Sequence, residues 1–116
     1  MKIKNLKGEV IFEDDLKLIK QTVENAVKSS ANLSYADLNS ADLNSANLSY
    51  ANLNYANLRY ADLNYADLSY ANLRYADLNS ADLRYADLSY ANLRYADLSS
   101  ADLENVKMYG YKLSLI

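Results

Sequence analysis

Alanine recurs at every fifth position from Ala31 to Ala101, and leucine at every fifth position from Leu33 to Leu103, without an exception. Residues 31–105 of the 116-residue chain are therefore fifteen pentapeptides, each reading Ala, Asp or Asn, Leu and two variable residues. A repeat of this kind decides the architecture and is read before any local signal. Five suits neither regular element. On an α-helix, turning about 100° per residue, leucines five apart would wander round the axis and leave no apolar face. On a straight strand an odd period would throw alternate Ala-x-Leu units onto opposite faces.

The conflict disappears if each Ala-x-Leu is a short extended step and the next two residues turn a corner. A constant corner keeps every Ala and Leu pointing inward. Four corners of about 90° close a coil of twenty residues, and coils stack at the strand spacing of about 4.8 Å. The variable positions support twenty. Segments 66–80 and 86–100 differ only at Asn79 and Ser99, and the Asp/Asn choice agrees at 8 of 11 comparisons at an offset of twenty. At fifteen it agrees at 6 of 12, and at twenty-five at 6 of 10. A solenoid of about 3.75 coils is expected, held by contacts between neighbouring turns.

Units such as Ala56-Asn57-Leu58-Arg59-Tyr60 and Ala61-Asp62-Leu63-Asn64-Tyr65 resemble the pentapeptide-repeat family, and the resemblance covers 75 of 116 residues. It implies a right-handed quadrilateral β-helix, all-β, with the central Leu and the small residue two before it filling the core. Many members favour glycine or another small residue at the fifth position, where this chain has tyrosine in ten repeats. A type II turn needs positive φ at its third residue, which a bulky side chain resists. Mostly non-type-II corners are therefore predicted at the tyrosines. Such unbroken regularity suits either a consensus-type engineered chain or a recently amplified natural array.

A stack of coils has two open ends, and solenoids need caps there. Residues 1–30 read as the N-terminal cap. Lys2-Ile3-Lys4 and Val10-Ile11-Phe12 suggest short strands about a turn at 5–8. Asp14 or Asp15 is placed to cap a helix over about 15–28, with Leu16, Ile19, Val23, Ala26 and Val27 as its apolar stripe. At the other end, Val106-Lys107-Met108-Tyr109-Gly110 is a decayed sixteenth repeat within a terminal segment, 106–116. The tail that follows resembles no cap. An apolar uncapped end predicts a homodimer through Leu113, Leu115 and Ile116; a self-contained plug is the competing reading.

Sorting the repeats by side of the coil turns the variable residues into columns. Asn32, Asn52, Asn72 and Asn92 share one face, with Tyr35, Tyr55, Tyr75 and Tyr95 at its corner and Tyr50, Tyr70 and Tyr90 at the preceding one. Asp42, Asp62, Asp82 and Asp102 line the opposite face. Tyrosines at this spacing stack, and asparagines can pair amide to amide along the stack. Stacked aspartates repel, so the acidic column reads as a solvated face rather than a stabilising one, or as a weak site for a hard cation. The tyrosine columns otherwise offer a platform for ring-bearing ligands.

Composition narrows the function. With no Cys and no His, thiolate or imidazole metal sites and His-based triads are excluded, and two separated glycines make no phosphate loop. The repeats carry four arginines against nine aspartates and Glu104, a net of −6, which is the wrong sign for nucleic acid. No apolar run spans a membrane or resembles a signal peptide, so a cytoplasmic protein is expected. No catalytic, cofactor or metal residues are singled out. The expectation is a non-catalytic structural scaffold. The alternative, implied by the resemblance, is an acidic rod that mimics DNA and inhibits a type II topoisomerase such as DNA gyrase.

Overall fold

The computed structural model of the chain describes residues 1–110. The repeats stack as a β-solenoid whose parallel pairings fall twenty residues apart, from Asn32 with Asn52 to Asp87 with Lys107. Each coil thus holds four pentapeptides. The particle measures 41 × 25 × 24 Å.

One repeat, Ala56 to Tyr60, shows how the backbone is satisfied. Asn57 N–H donates to Ala36 of the coil before, while Leu58 and Tyr60 donate to Asp77 and Asn79 of the coil after, at 2.8–3.2 Å. Ala56 N–H closes the corner behind it on Leu53 O, at 3.0 Å. The fifth donor, Arg59 N–H, goes to the Asn57 side-chain oxygen at 3.0 Å. Every N–H of the unit therefore has an acceptor, as a buried backbone requires. The second residue of all fifteen repeats makes this same side-chain bond to the N–H two positions on. Asp and Asn are the residues whose short side chain carries an oxygen at that reach.

The interior is filled by the invariant pair. Leu33, Leu43, Leu48 and the leucines through Leu88 are fully buried, with alanines between them. Each Leu side chain taken wholly from water contributes about 1.5–3 kcal/mol.

The corners differ from expectation. The fifth residue of every repeat, tyrosine included, has φ between +58° and +64°. Positive φ is confined to the third turn position, which is the type II pattern closed by bonds such as Ala61 N–H to Leu58 O. The predicted non-type-II corners at tyrosine are thus overturned. Left-handed backbone costs an L-residue about 1–2 kcal/mol, and the ladder and turn hydrogen bonds on both sides of each corner offset it. None of the fifth residues is β-branched; they are Tyr, Ser or Asn. The side chain can therefore swing outward from a single Cβ substituent.

At the N-terminal end, β1 (Lys2–Lys4) and β2 (Val10–Glu13) form an antiparallel hairpin. The hairpin turn is organised by Asn5, whose Oδ1 accepts the Lys7 and Glu9 N–H groups at 3.0 Å, with Gly8 at φ +82°. Helix α1 (Ile19–Lys28) follows. Ile3, Val23 and Ala26 are buried in the same core as the leucines. The hairpin also continues the ladder: Asp37 N–H donates to Lys4 O at 2.7 Å and Leu6 N–H to Tyr35 O at 2.9 Å.

The helix begins later than the apolar stripe suggests. Its N-cap is Leu18, with no side-chain cap, and Leu16 lies outside it and exposed. Asp14 is engaged elsewhere, accepting Leu16 N–H, Thr22 Oγ1 and Asn25 Nδ2 at 3.0, 2.9 and 3.2 Å. It pins the connection to the side of the helix instead of capping it. Burial alone would raise its pKa, but the Asn25 and Thr22 hydrogen bonds, with the Leu16 N–H and the chain's first ammonium, hold it below the usual value.

At the other end the decayed repeat continues the coil, with Lys107 paired to Asp87 and Gly110 at φ +84°. Gly110 has a steric reason as well. A Cβ there would lie 2.4 Å from the Tyr90 ring. The homodimer contact expected at Leu113, Leu115 and Ile116 lies outside the described residues.

Candidate functional site

With the interior filled, chemistry is left to the outer surface. The two tyrosine columns are continuous ladders. Ring centroids along Tyr35, Tyr55, Tyr75 and Tyr95 are 4.8, 4.7 and 4.8 Å apart, and along Tyr50, Tyr70 and Tyr90 4.9 and 5.0 Å. Tyr65 and Tyr85 make a third, shorter stack at 4.8 Å. The planes lie within 10° of parallel. At these separations each stacked pair contributes about 0.5–1.5 kcal/mol. The ladder tyrosines remain solvent-exposed, from 38% (Tyr55) to 72% (Tyr50) as residues.

The asparagine column between the two long ladders behaves differently from the sequence expectation. Asn52 Oδ1 accepts its own turn N–H from Asn54 and also the Ser34 hydroxyl, at 3.2 and 3.3 Å. The amide oxygens are thus committed to local turns, and the amide nitrogens are left as the donors of this face. Asn54, next to it, carries a buried Oδ1 with no donor.

The aspartate column is also reassigned. Asp42, Asp62, Asp82 and Asp102 each hold a turn N–H, at 3.2, 3.0, 3.1 and 3.1 Å. They are therefore part of the corner architecture, not merely a solvated face. Arg84 relieves their repulsion. Its Nη2 lies 2.8 Å from Asp82 Oδ2 and its Nε 3.6 Å from Asp102 Oδ2. The Arg84 hydrogen bond, against opposing desolvation, pushes the Asp82 pKa down to about 2. Among the described residues no three His, Cys, Asp or Glu side chains gather to hold a metal.

The arginines divide by face. Arg59 pairs with Asp77 at 3.3 Å and Arg84 with Asp82. Arg74 instead lies 5.4 Å from the Tyr75 ring and 5.8 Å from the Tyr95 ring. Among the described residues three open hollows flank the cap. One of about 530 Å³ is lined by Asp14, Asp15, Leu16, Gln21, Glu24, Asn25 and Lys28. A second, about 350 Å³, lies between Glu24, Val27, Lys28, Asn47 and Ser49. The third, about 460 Å³, lies between the hairpin turn and Ser34–Tyr35. None of the three brings together a nucleophile and a base, and no catalytic residues were expected from the sequence. The feature that sequence reasoning missed is the Asp/Asn turn bond, and its available signal was the exclusive use of those two residues at position two.

Comparison with known proteins agrees with this geometry. The family profile described as pentapeptide repeats matches in 8 copies, over residues 29–64, 61–94 and 71–110. A pentapeptide repeat protein of known structure from Nostoc PCC 7120 is 37% identical, with a TM-score of 0.65, over 88% of this chain and 94% of that one. A pentapeptide repeat protein from the Arabidopsis thaliana thylakoid lumen is 34% identical, with a TM-score of 0.65, over 68% of this chain and 55% of that one. HetL, a protein of the cyanobacterium Nostoc sp. PCC 7120 involved in heterocyst differentiation regulation, is 38% identical, with a TM-score of 0.51, over 66% of this chain and 38% of that one. No curated protein matches. Among the described residues no helix is long and apolar enough to cross a membrane.

Proposed function

The chain belongs to the pentapeptide-repeat family, and from that premise we propose that it is a rigid, non-catalytic scaffold whose function is to present a regular surface. The observation that carries this reading is the uniformity of the core. From Leu33 to Leu88 every leucine is sealed, and the fifteen repeats hold no break in which a pocket could form. We read the winding as right-handed, because a parallel strand pair joined by a crossover takes that hand in about 98% of cases. In this reading 1–30 cap the rod, 31–105 build it, and a second copy meets it through the C-terminal end. Leu103 is 36% exposed there, which supports the contact.

A DNA-mimicking inhibitor of a topoisomerase is the second reading, favoured by one observation, the regular Asp42, Asp62, Asp82 and Asp102 face. A gyrase supercoiling assay separates the two. The scaffold reading expects no inhibition, and inhibition at low micromolar concentration would replace it with the second. Light scattering tests the contact through the C-terminal end, which a monomer at high concentration would contradict.

A further inference from the structure

We propose that the asparagine–tyrosine face binds elongated, planar aromatic anions, laid along the rod axis with their acidic group at Arg74 and Arg94. Three of the four faces carry aspartate at the second repeat position; this one carries only Asn32, Asn52, Asn72 and Asn92. Arg74 and Arg94 stand at its corner, so it is a cationic strip on a chain of net charge −3. Among the described residues neither arginine has a carboxylate partner, whereas Arg59 and Arg84 do. Arg74 lies over the Tyr75 and Tyr95 rings, a contact that favours this position of its charge without neutralising it.

The strip is bordered by the two long tyrosine ladders. The longer has three steps of 4.7–4.8 Å, a length that one ring cannot use and a rod of several coplanar rings can. Such a ligand meets successive exposed phenol rings along its length. The oxygens of Asn52, Asn72 and Asn92 are held by the turns, so the amide groups between the ladders offer the ligand their nitrogens as donors. The acid group gains charge-assisted hydrogen bonds from arginines that have no internal anion to give up. The aspartate face, of opposite charge and with only a two-ring stack, repels the same ligand.

Titration of the full chain with two linear dyes tests this. Congo red, a long aromatic disulfonate, is expected to bind, and thioflavin T, a cation of similar flatness, to bind at least about tenfold more weakly. Arg74→Gln with Arg94→Gln should weaken Congo red by about tenfold or more, and Arg84→Gln on the opposite face should leave it unchanged. Tyr75→Ser interrupts the ladder and should also weaken binding. Serine already occupies the fifth position at Ser40, Ser45, Ser80 and Ser100, so the variant keeps a native corner. Circular dichroism melts verify that each variant is folded. Equal binding of both dyes, no Congo red binding, or affinity indifferent to the Arg74 and Arg94 changes would each overturn the proposal; the last would place the dye elsewhere, such as the apolar C-terminal end.

Discussion

Leu33 and Leu103 hold the same place in the pentapeptide at opposite ends of one rod, yet Leu33 is fully buried and Leu103 is 36% exposed. The difference lies in what each end is given in place of a missing coil. At the first coil the cap copies the ladder: Lys4 O accepts Asp37 N–H as a preceding coil's alanine would. Glu24 Oε2 accepts Asn47 N–H at 2.8 Å, a carboxylate standing in for a backbone carbonyl. Ile3, Val23 and Ala26 then close the core. At the last coil the described ladder ends with Leu88 and Tyr90 donating to Lys107 and Tyr109. Leu93 and Leu98 beyond are only partly buried. A cap is thus a set of borrowed acceptors as much as an apolar lid.

Truncating the two leucines is the hardest test of this contrast. Leu33→Ala should destabilise the fold by about 2–5 kcal/mol, since it opens a cavity in a sealed layer. Leu103→Ala should cost under about 1 kcal/mol, because water already reaches that side chain. Urea denaturation of the two variants measures it, and equal losses would mean that the C-terminal end is covered in solution. Next in size is Glu24. Glu24→Ala removes a charged acceptor and should cost about 1.5 kcal/mol, while Glu24→Gln, which keeps an oxygen for Asn47 N–H, should lose less than half of that. If the two variants melt alike, the carboxylate is not replacing a coil.

The period of five made the core legible, because only one arrangement of Ala31, Leu33 and their successors keeps them all inside. Surface features were less legible. The Asp/Asn column reads as charge when taken along a face, yet its meaning lies within each repeat, in a bond from Asp62 Oδ1 to Asn64 N–H. The tyrosine corners were misread because bulk was weighed and β-branching was not. Tyr60 and Tyr75 sit at φ +59° and +61° as readily as Ser80 at +62°. The start of α1 escaped because Asp14 is recruited by Thr22 and Asn25, a tertiary role that local capping preference does not encode. The candidate site was visible as columns, but its charge separation appeared only when arginine partners could be distinguished.

The corner bond can be tested mid-rod, away from either end. Asp62→Ala should cost about 1 kcal/mol by stranding the Asn64 N–H. Asp62→Asn should be neutral or slightly stabilising, since it keeps the oxygen and removes one charge from the column between Asp42 and Asp82. Thermal melts of the pair decide between a structural and a merely solvating carboxylate; an Asn variant as unstable as the Ala variant would favour neither role for the oxygen.

The smallest effect expected per group is in acid, where solvent-screened carboxylates lose their hydrogen bonds as they take up protons. Asp82 falls from 3.8 to about 2 through the Arg84 hydrogen bond, and Asp87 and Asp97 are lowered by the hydroxyls of Ser89 and Ser99. A group whose pKa is lower folded than unfolded binds protons more readily in the unfolded chain. Its stabilisation is complete above the unfolded value and disappears as pH falls through the folded one. The melting temperature should therefore be flat near neutrality and decline from about pH 4 to about pH 2. Arg84→Gln returns Asp82 toward its ordinary value and should make that decline shallower. Because Asp14 is also lowered, at the capped end, part of the decline should survive in Arg84→Gln and be lost in Asp14→Asn. A melting temperature that instead rises below pH 4 would show that the bonds to Arg84, Ser89 and Ser99 do not stabilise the folded carboxylates.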